Sequence, residues 1–375
     1  MKRIICTLAA AFALLSCSQK AQVTLFPTSD FDTVVDGKKV SLYTLKNADL
    51  TMQVTDFGAR VVSLWTPDRK GNMEDIVLGY NNIDRYIDNP GERFLGAVVG
   101  PYANRIAGGT YSIGEQVYNF PQNNNGQTLH GGLKGLDMIV WDVLEVNDST
   151  IVFSCTHADG QEGMPGNLGI LMTYSLTSEN EFKVEYLAQT DKPTHVNLSH
   201  HSFFNLKGEG NGTINDHILY INASKTTPVN QVLIPSGEIA DVEGTPFDFR
   251  EPKAVEADLY VEDEQLVNGA GYDHNWILDR KTLNQLEIAA SVYEKNSGRY
   301  MEVWTDQPAI QFYGGNFFDG TTTGKYGRTL DYRESFALET QKYPDSPNHP
   351  HFPSTLLKPG ENYSHTCVYR FKVIR

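Results

Sequence analysis

Cysteine is scarce in this chain. The 375 residues hold four, and Cys6 and Cys17 lie near the N-terminus, so only Cys155 and Cys367 belong to the body. An oxidising compartment would permit those two to pair. Two thiols so far apart do not make a disulfide framework, however, and they read better as small buried apolar side chains. Neither CxxC nor HExxH occurs, so the expectation is no metal. Positive charge is also in deficit: 31 Lys and Arg stand against 46 Asp and Glu, for a net charge of −15. That balance speaks against nucleic acid, whose binding depends on Lys and Arg neutralising phosphates. No segment reaches the roughly 20 consecutive apolar residues that a membrane-crossing helix needs. Sustained helical periodicity, a fixed-period repeat, a low-complexity tract and a clear domain linker are missing too.

What is present begins with a processing segment. Lys2 and Arg3 precede an apolar run, Ile4 to Leu15, which is too short to span a bilayer and has the build of a signal-peptide core. Leu14-Leu15-Ser16-Cys17 resembles the lipobox of bacterial lipoproteins. The expectation is therefore a signal peptide over 1–16, lipidation at Cys17, a short polar tether over 17–24 and one domain over 25–375. Ordinary cleavage nearby, with a soluble product, is the alternative. The protein would then be exported and lipid-anchored, facing the periplasm of a bacterial envelope, with the acyl chains as its only membrane contact. Cleavage before Cys17 removes two cations and no acid, so the mature charge becomes −17.

Beyond the tether, strand signals dominate. Thr51–Thr55 and Val61–Trp65 flank the turn Asp56-Phe57-Gly58-Ala59. Phe182–Leu187 alternates with period two, and His365–Val373 reads as a closing strand. Ser291–Glu294 and Tyr300–Trp304 flank Asn296-Ser297-Gly298, a hairpin with glycine at a positive φ. The fold class this predicts is all-β, a large single-domain sandwich.

Five turn-rich segments gather polar groups: Gly100–Ile106, Leu129–Gly132, Asn197–Asn205, Gly271–Asn275 and Leu338–Gln341. Arg105, preceded by Asn104, is either a surface ion-pair partner or a fork of donors suited to vicinal hydroxyls. His130 stands before two glycines that allow close backbone approach. His200 and His201 are adjacent, and strand neighbours point to opposite faces, so only one of them can face a cleft. A two-histidine metal site would use positions i and i+2 instead. Asp273 is an exposed turn carboxylate or a hydroxyl acceptor. Glu339, among Phe336, Ala337 and Leu338, points outward from a half-buried strand, or inward, where burial would raise its pKa and improve it as a general base.

Taken together and in order, the N-R-I, L-H-G-G, H-S-F-F-N, D-H-N and L-E-T-Q segments resemble the aldose 1-epimerase (galactose mutarotase) family. The resemblance runs from about residue 25 to the end. The tail from Tyr343 to Pro350 and the segment Lys358-Pro359-Gly360-Glu361 resemble it too. It implies a large β-sandwich with an open sugar cleft, and interconversion of the α and β anomers of a free aldose such as galactose or glucose. It implies no metal and no cofactor, with a monosaccharide as the partner. Matched by motif, Glu339 corresponds to the general base and a protonated His201 to the general acid. Arg105, His130 and Asp273 correspond to substrate-binding positions, and Asn104 to a flanking one. The sequence departs from the family at Pro101, where arginine is frequent, and at His200, where asparagine is usual.

Two other readings are open at this point. A glycoside hydrolase would use Asp273 and Glu339 as its carboxylate pair. A non-catalytic sugar-binding lipoprotein would keep Arg105, His130 and Asp273 but need neither Glu339 nor His201.

Overall fold

The computed structural model describes residues 23–282 and 284–375. The signal-peptide reading and Cys17 lie outside the described residues. From Phe26 onward the chain is tied down: its backbone N–H and carbonyl both bond the Gln53 side chain, at 2.9 and 3.0 Å.

Among the described residues the largest element is a nine-stranded antiparallel sheet. Its spatial order is Asp142–Val146, Thr150–His157, Leu168–Leu176, Glu181–Thr190, Tyr363–Val373, Arg299–Thr305, Glu287–Tyr293, Ile218–Ile221 and Lys253–Ala254. Its central strands alternate cleanly. Phe182, Val184, Tyr186 and Ala188 are buried, and the residues between them reach solvent. Period-two alternation is what one dry face and one wet face require. The hairpin through Asn296–Gly298 forms as read, with Gly298 at φ 76°. The strand Tyr363–Val373, the last in the chain, lies at the centre of the sheet, pairing with both Glu181–Thr190 and Arg299–Thr305.

A second layer packs on the dry face. It holds a five-stranded sheet in the order Ala240–Asp241, Lys225–Thr227, Asp273–Ile277, Ala309–Tyr313 and Ala337–Gln341, and a four-stranded meander over Leu42–Lys46, Thr51–Thr55, Arg60–Pro67 and Met73–Asp75. One core cluster joins the layers, with Met172, Val184 and Tyr369 from the large sheet meeting Trp276, Phe312, Leu338 and Met52 from the others. Cys155 and Cys367 sit in this core as buried free thiols. The α-helices Ile83–Asp88 and Glu264–Asn268 are too short to show periodicity in sequence, but their caps are legible: Asn82 accepts from Arg85 N–H, and Asp263 from the N–H groups of Gln265 and Leu266.

Candidate active site

The strands Asp273–Ile277, Ala309–Tyr313 and Ala337–Gln341 of the five-stranded sheet are buried almost throughout, and the sheet's two faces differ in chemistry. Cross-strand partners share a face. Register pairs His274 with Phe312, Phe312 with Leu338, and Trp276 with Ile310, which is the core face. The same register pairs Asp273 with Tyr313, Asn275 with Gln311, and Gln311 with Glu339. This second face is polar. It forms the floor of a cleft of about 420 Å³ whose lining includes Asn104, Arg105, His130, His201, Asp273 and Glu339. All six candidate residues therefore meet in one cavity.

The floor is wired together beneath the cleft. Gln311 Nε2 donates to Asp273 Oδ1 at 2.7 Å, Gln341 Nε2 donates to Asn275 Oδ1 at 3.0 Å, and Asn275 Nδ2 donates to Thr227 Oγ1 at 3.3 Å. Arg105 leans over this floor, with Nη2 4.0 Å from Asp273 Oδ2 and Nε donating to Asn124 Oδ1 at 3.4 Å. Burial raises the Asp273 carboxyl, and the Arg105 charge and the Gln311 bond counter that rise.

One wall is a reciprocal clasp. The short strand Arg105–Ile106 pairs with Thr128–Leu129. At its end Asn104 N–H donates to His130 Nδ1 at 3.1 Å, while His130 N–H donates to the Asn104 carbonyl at 3.0 Å. Both residues have positive φ, 63° and 51°, a conformation that costs a residue with a side chain on the order of 1–3 kcal/mol and persists only where surroundings enforce it. The glycines after His130 allow a close approach to the chain's own backbone: a Cβ on Gly131 would stand 2.0 Å from the Gly100 carbonyl oxygen.

His201 ends the strand Ser199–His201, which pairs with Ala97–Val99. His201 faces the cleft, while His200 turns into the core, its Nδ1 3.0 Å from the Tyr174 hydroxyl and its Nε2 2.6 Å from Ser202 Oγ. His201 Nε2 lies 3.3 Å from Glu339 Oε1. Its ring is flanked by Phe203 at 4.7 Å, His130 at 5.1 Å and Phe94 at 6.0 Å between centroids. This dry setting disfavours both charges. Burial, aided by the Arg60 charge, lowers His201 to about 3. Burial, aided by the Asp273 charge, raises Glu339 well above the ordinary carboxyl range, against the pull of Arg105. Burial thus opposes both the imidazolium and the carboxylate, and the 3.3 Å contact couples the two groups, so that each favours the charged form of the other.

The expectation that no metal-ligand group exists also needs correction. One ligand atom from each of His130, His201 and Glu339 lies within 4.8 Å of the others. The hydrogen bonding of His130 weighs against ligation. Its Nδ1 lone pair receives the Asn104 N–H, so the proton sits on Nε2 and the ring presents a donor to the cleft. Two ligands then remain, where a catalytic zinc has three from protein.

Comparison with known proteins decides the family. The sequence model of the family described as aldose 1-epimerase matches residues 41–370. Galactose mutarotase of Bos taurus is 42% identical over 342 residues, covering 91% of this chain and 97% of that protein. The chain belongs to the aldose 1-epimerase family. Aldose 1-epimerase of Escherichia coli K12 is 36% identical over 339 residues, covering 90% and 96%. Among solved structures, an aldose epimerase homologue from C. elegans superposes with a TM-score of 0.83 at 29% identity, covering 90% of this chain and all of that one. Galactose 1-epimerase of Lactobacillus acidophilus gives 0.78 at 27% identity, covering 92% and 97%. Like these proteins, this epimerase is an antiparallel β structure, and its reaction is the interconversion of anomers.

Several cleft residues of this epimerase escaped the sequence reading. Gln311, which does not line the cavity but holds Asp273 from beneath it, carries the same signal as Glu339, a polar residue inside an apolar strand (Ala309-Ile310-Gln311-Phe312-Tyr313). Glu92, Phe94, Tyr313 and Phe317 line the cavity, and nothing in their local sequence marks them. Pro101, the departure from the family pattern, follows a cis peptide bond. Its carbonyl accepts from Asn197 N–H at 2.9 Å.

Proposed function

We propose that this epimerase acts on free aldoses of the galactose and glucose type, with Glu339 and His201 as its acid–base pair. The observation that carries this reading is the 3.3 Å contact between His201 and Glu339 on the cleft floor, beside Arg105, His130 and Asp273. In the working pair Glu339 is the carboxylate base and His201 the imidazolium acid. The carboxylate takes the proton of the anomeric hydroxyl. The bond from C1 to the ring oxygen breaks, its electron pair stays on that oxygen, and the oxygen takes the proton from His201. The freed aldehyde rotates about C1–C2 and recloses on its other face with the roles reversed. Arg105, His130 Nε2–H and Asp273 hold the sugar hydroxyls, and Asn104 fixes His130. Each acid–base partner contributes typically 10²–10⁴-fold, or about 3–5 kcal/mol of barrier.

Polarimetry of freshly dissolved galactose, glucose, xylose and arabinose, corrected for spontaneous mutarotation, tests the assignment. Glu339→Gln and His201→Asn should each lower kcat by about two to four decades with little change in KM. His200→Asn should be mild. Near wild-type kcat in Glu339→Gln would overturn the mechanism. If His200→Asn proved the severe variant, the wrong histidine has been chosen.

Export and anchoring are proposed from the N-terminal sequence alone: a signal peptide over 1–16 and lipidation of Cys17, with the catalytic body facing the periplasm. Cys17→Ser should move the protein from the membrane fraction to the soluble one. A wild type already soluble would refute the anchor.

A further inference from the structure

Three carboxylates line the cleft: Asp273, Glu339 and Glu92. The first two are engaged, Asp273 by Gln311 and Arg105, and Glu339 by His201. Glu92 is not used by the mechanism above. We propose that Glu92 is a further substrate-binding residue, accepting a hydroxyl of the sugar on the wall facing the floor and so discriminating among aldoses. This rests on the sugar-epimerase reading of the same cleft.

The wall that carries Glu92 is held in place. The helix Ile83–Asp88 ends at Asn89 in the left-handed region, and the chain turns there toward the strand Ala97–Val99. Gly91 is pressed against Thr322, where a Cβ would stand 2.3 Å from the hydroxyl oxygen. The Glu92 carbonyl accepts from the Tyr80 hydroxyl at 3.3 Å, and Glu92 Oε1 accepts from Phe94 N–H at 2.9 Å. A side chain oriented by its own backbone in this way is a preformed acceptor, which reduces the ordering cost of binding.

The carboxylate has no cation of its own. Among the described residues no Lys, Arg or His stands within ion-pair distance of it. The neighbouring Arg93 spends its guanidinium elsewhere, donating to both Asp137 oxygens at 2.7 and 2.9 Å and to the Gly132 carbonyl at 2.9 Å. An ionised carboxylate has room for about four hydrogen bonds and can only accept. Glu92 receives one from Phe94, so Oε2 is open. It also stands close enough to Glu339 and Tyr313 for its charge to raise both groups, which places it over the same cavity. A half-buried, partly unsatisfied acceptor beside a cavity matches a ligand rich in hydroxyl donors. A ligand lacking the matching hydroxyl would leave that acceptor unpaired, the situation in which binding sites discriminate most strongly.

The test compares a parent aldose with its 2-, 3-, 4- and 6-deoxy analogues in the wild type, Glu92→Gln and Glu92→Ala. It uses both mutarotation kinetics and calorimetric binding to the full-length protein. Removing a charged hydrogen-bond partner should raise the parent's KM and Kd about tenfold in Glu92→Ala, with kcat within about twofold. The wild type's preference for the parent over one deoxy analogue should collapse in Glu92→Ala, because that analogue already lacks the partner. The other ratios should hold. Glu92→Gln, which keeps an acceptor oxygen, should fall between the two. Near-UV circular dichroism checks that the variants fold, and Glu92→Gln decides the matter if Glu92→Ala does not. Unchanged ratios for every analogue would overturn the proposal. So would a loss confined to kcat, since Glu92 would then act only through its field on Glu339. A wild type that binds sugar without speeding mutarotation would defeat the catalytic reading, and the binding ratios would still decide Glu92.

Discussion

The nine-stranded sheet and the five-stranded sheet are both antiparallel, yet they read very differently. In the large sheet, Leu168–Leu176 and Glu181–Thr190 show one residue in and one out. In the smaller sheet, Ala309–Tyr313 and Ala337–Gln341 are buried at every position. The first sheet has solvent on one side, so polarity marks exposure. The second has the core on one side and the cleft on the other, so polarity marks function. Asp273, Gln311 and Glu339 are charged or polar because of what they face, although little water reaches them. Their burial costs free energy, and they are kept in place by the Gln311 bond, the Arg105 charge and the His201 contact.

Three measurements would sharpen or break this contrast, and the largest effect expected is with pH. Burial lowers His157, His195 and His365 to about 4, and His200, His201 and His274 to about 3. These groups are neutral in the fold but take up protons in the unfolded chain near pH 6.5. Their contribution to stability is therefore complete above about pH 6.5 and is lost as pH falls toward 4, at about 1.4 kcal/mol per pH unit for each group. Native stability is on the order of 10 kcal/mol, so the protein should unfold in acid before reaching pH 4. The histidines belong to both layers, so the loss should be one cooperative transition by circular dichroism. A chain still folded at pH 3.5 would mean these rings are better hydrated than the structure shows.

The next effect separates core from site. Met172, fully buried in the large sheet, should cost about 2–5 kcal/mol as Met172→Ala, read by denaturant unfolding, while kcat of the folded protein stays unchanged. Glu339→Gln should do the reverse, with a large loss of kcat and a small change in stability. Similar effects of the two substitutions on both readouts would erase the division between sheets. The smallest effect belongs to the wet face. Leu187 is 44% exposed, opposite Leu171, and Leu187→Lys should shift stability by no more than about 0.5 kcal/mol. A loss above about 2 kcal/mol would show that this face is covered.

Legibility followed the same division. The strands Glu181–Thr190 and Tyr363–Val373 were readable from period-two alternation, and Thr51–Thr55 and the Gly298 hairpin from the turns beside them, because both signals are local. The short helices were not, since five or six residues hold too little periodicity. The candidate site residues were legible as polar groups in unusual surroundings, and the order of their motifs pointed to the family. Strand geometry allowed only one of His200 and His201 to face the cleft, the motif match named His201, and His201 lines the cleft while His200 bonds Tyr174 and Ser202 in the core. Gln311 was missed although its setting matched that of Glu339. Glu92 and Phe94 could not have been found, because their place over the cleft depends on packing between the loop before Ala97–Val99 and the sheet floor.

The sequence by itself determined the strand-rich class, the turn positions, the acidic surface and the residue types available for acid–base chemistry, since each follows from local pattern or composition. Only the tertiary structure decided which of those groups share a cavity and in what state. Residues far apart in the chain meet only in the fold: the Asn104 N–H sets the His130 tautomer, and His201 comes within 3.3 Å of Glu339. The low-dielectric setting that shifts their pKa values belongs to the packed layers as a whole, because desolvation depends on everything that surrounds a group in space.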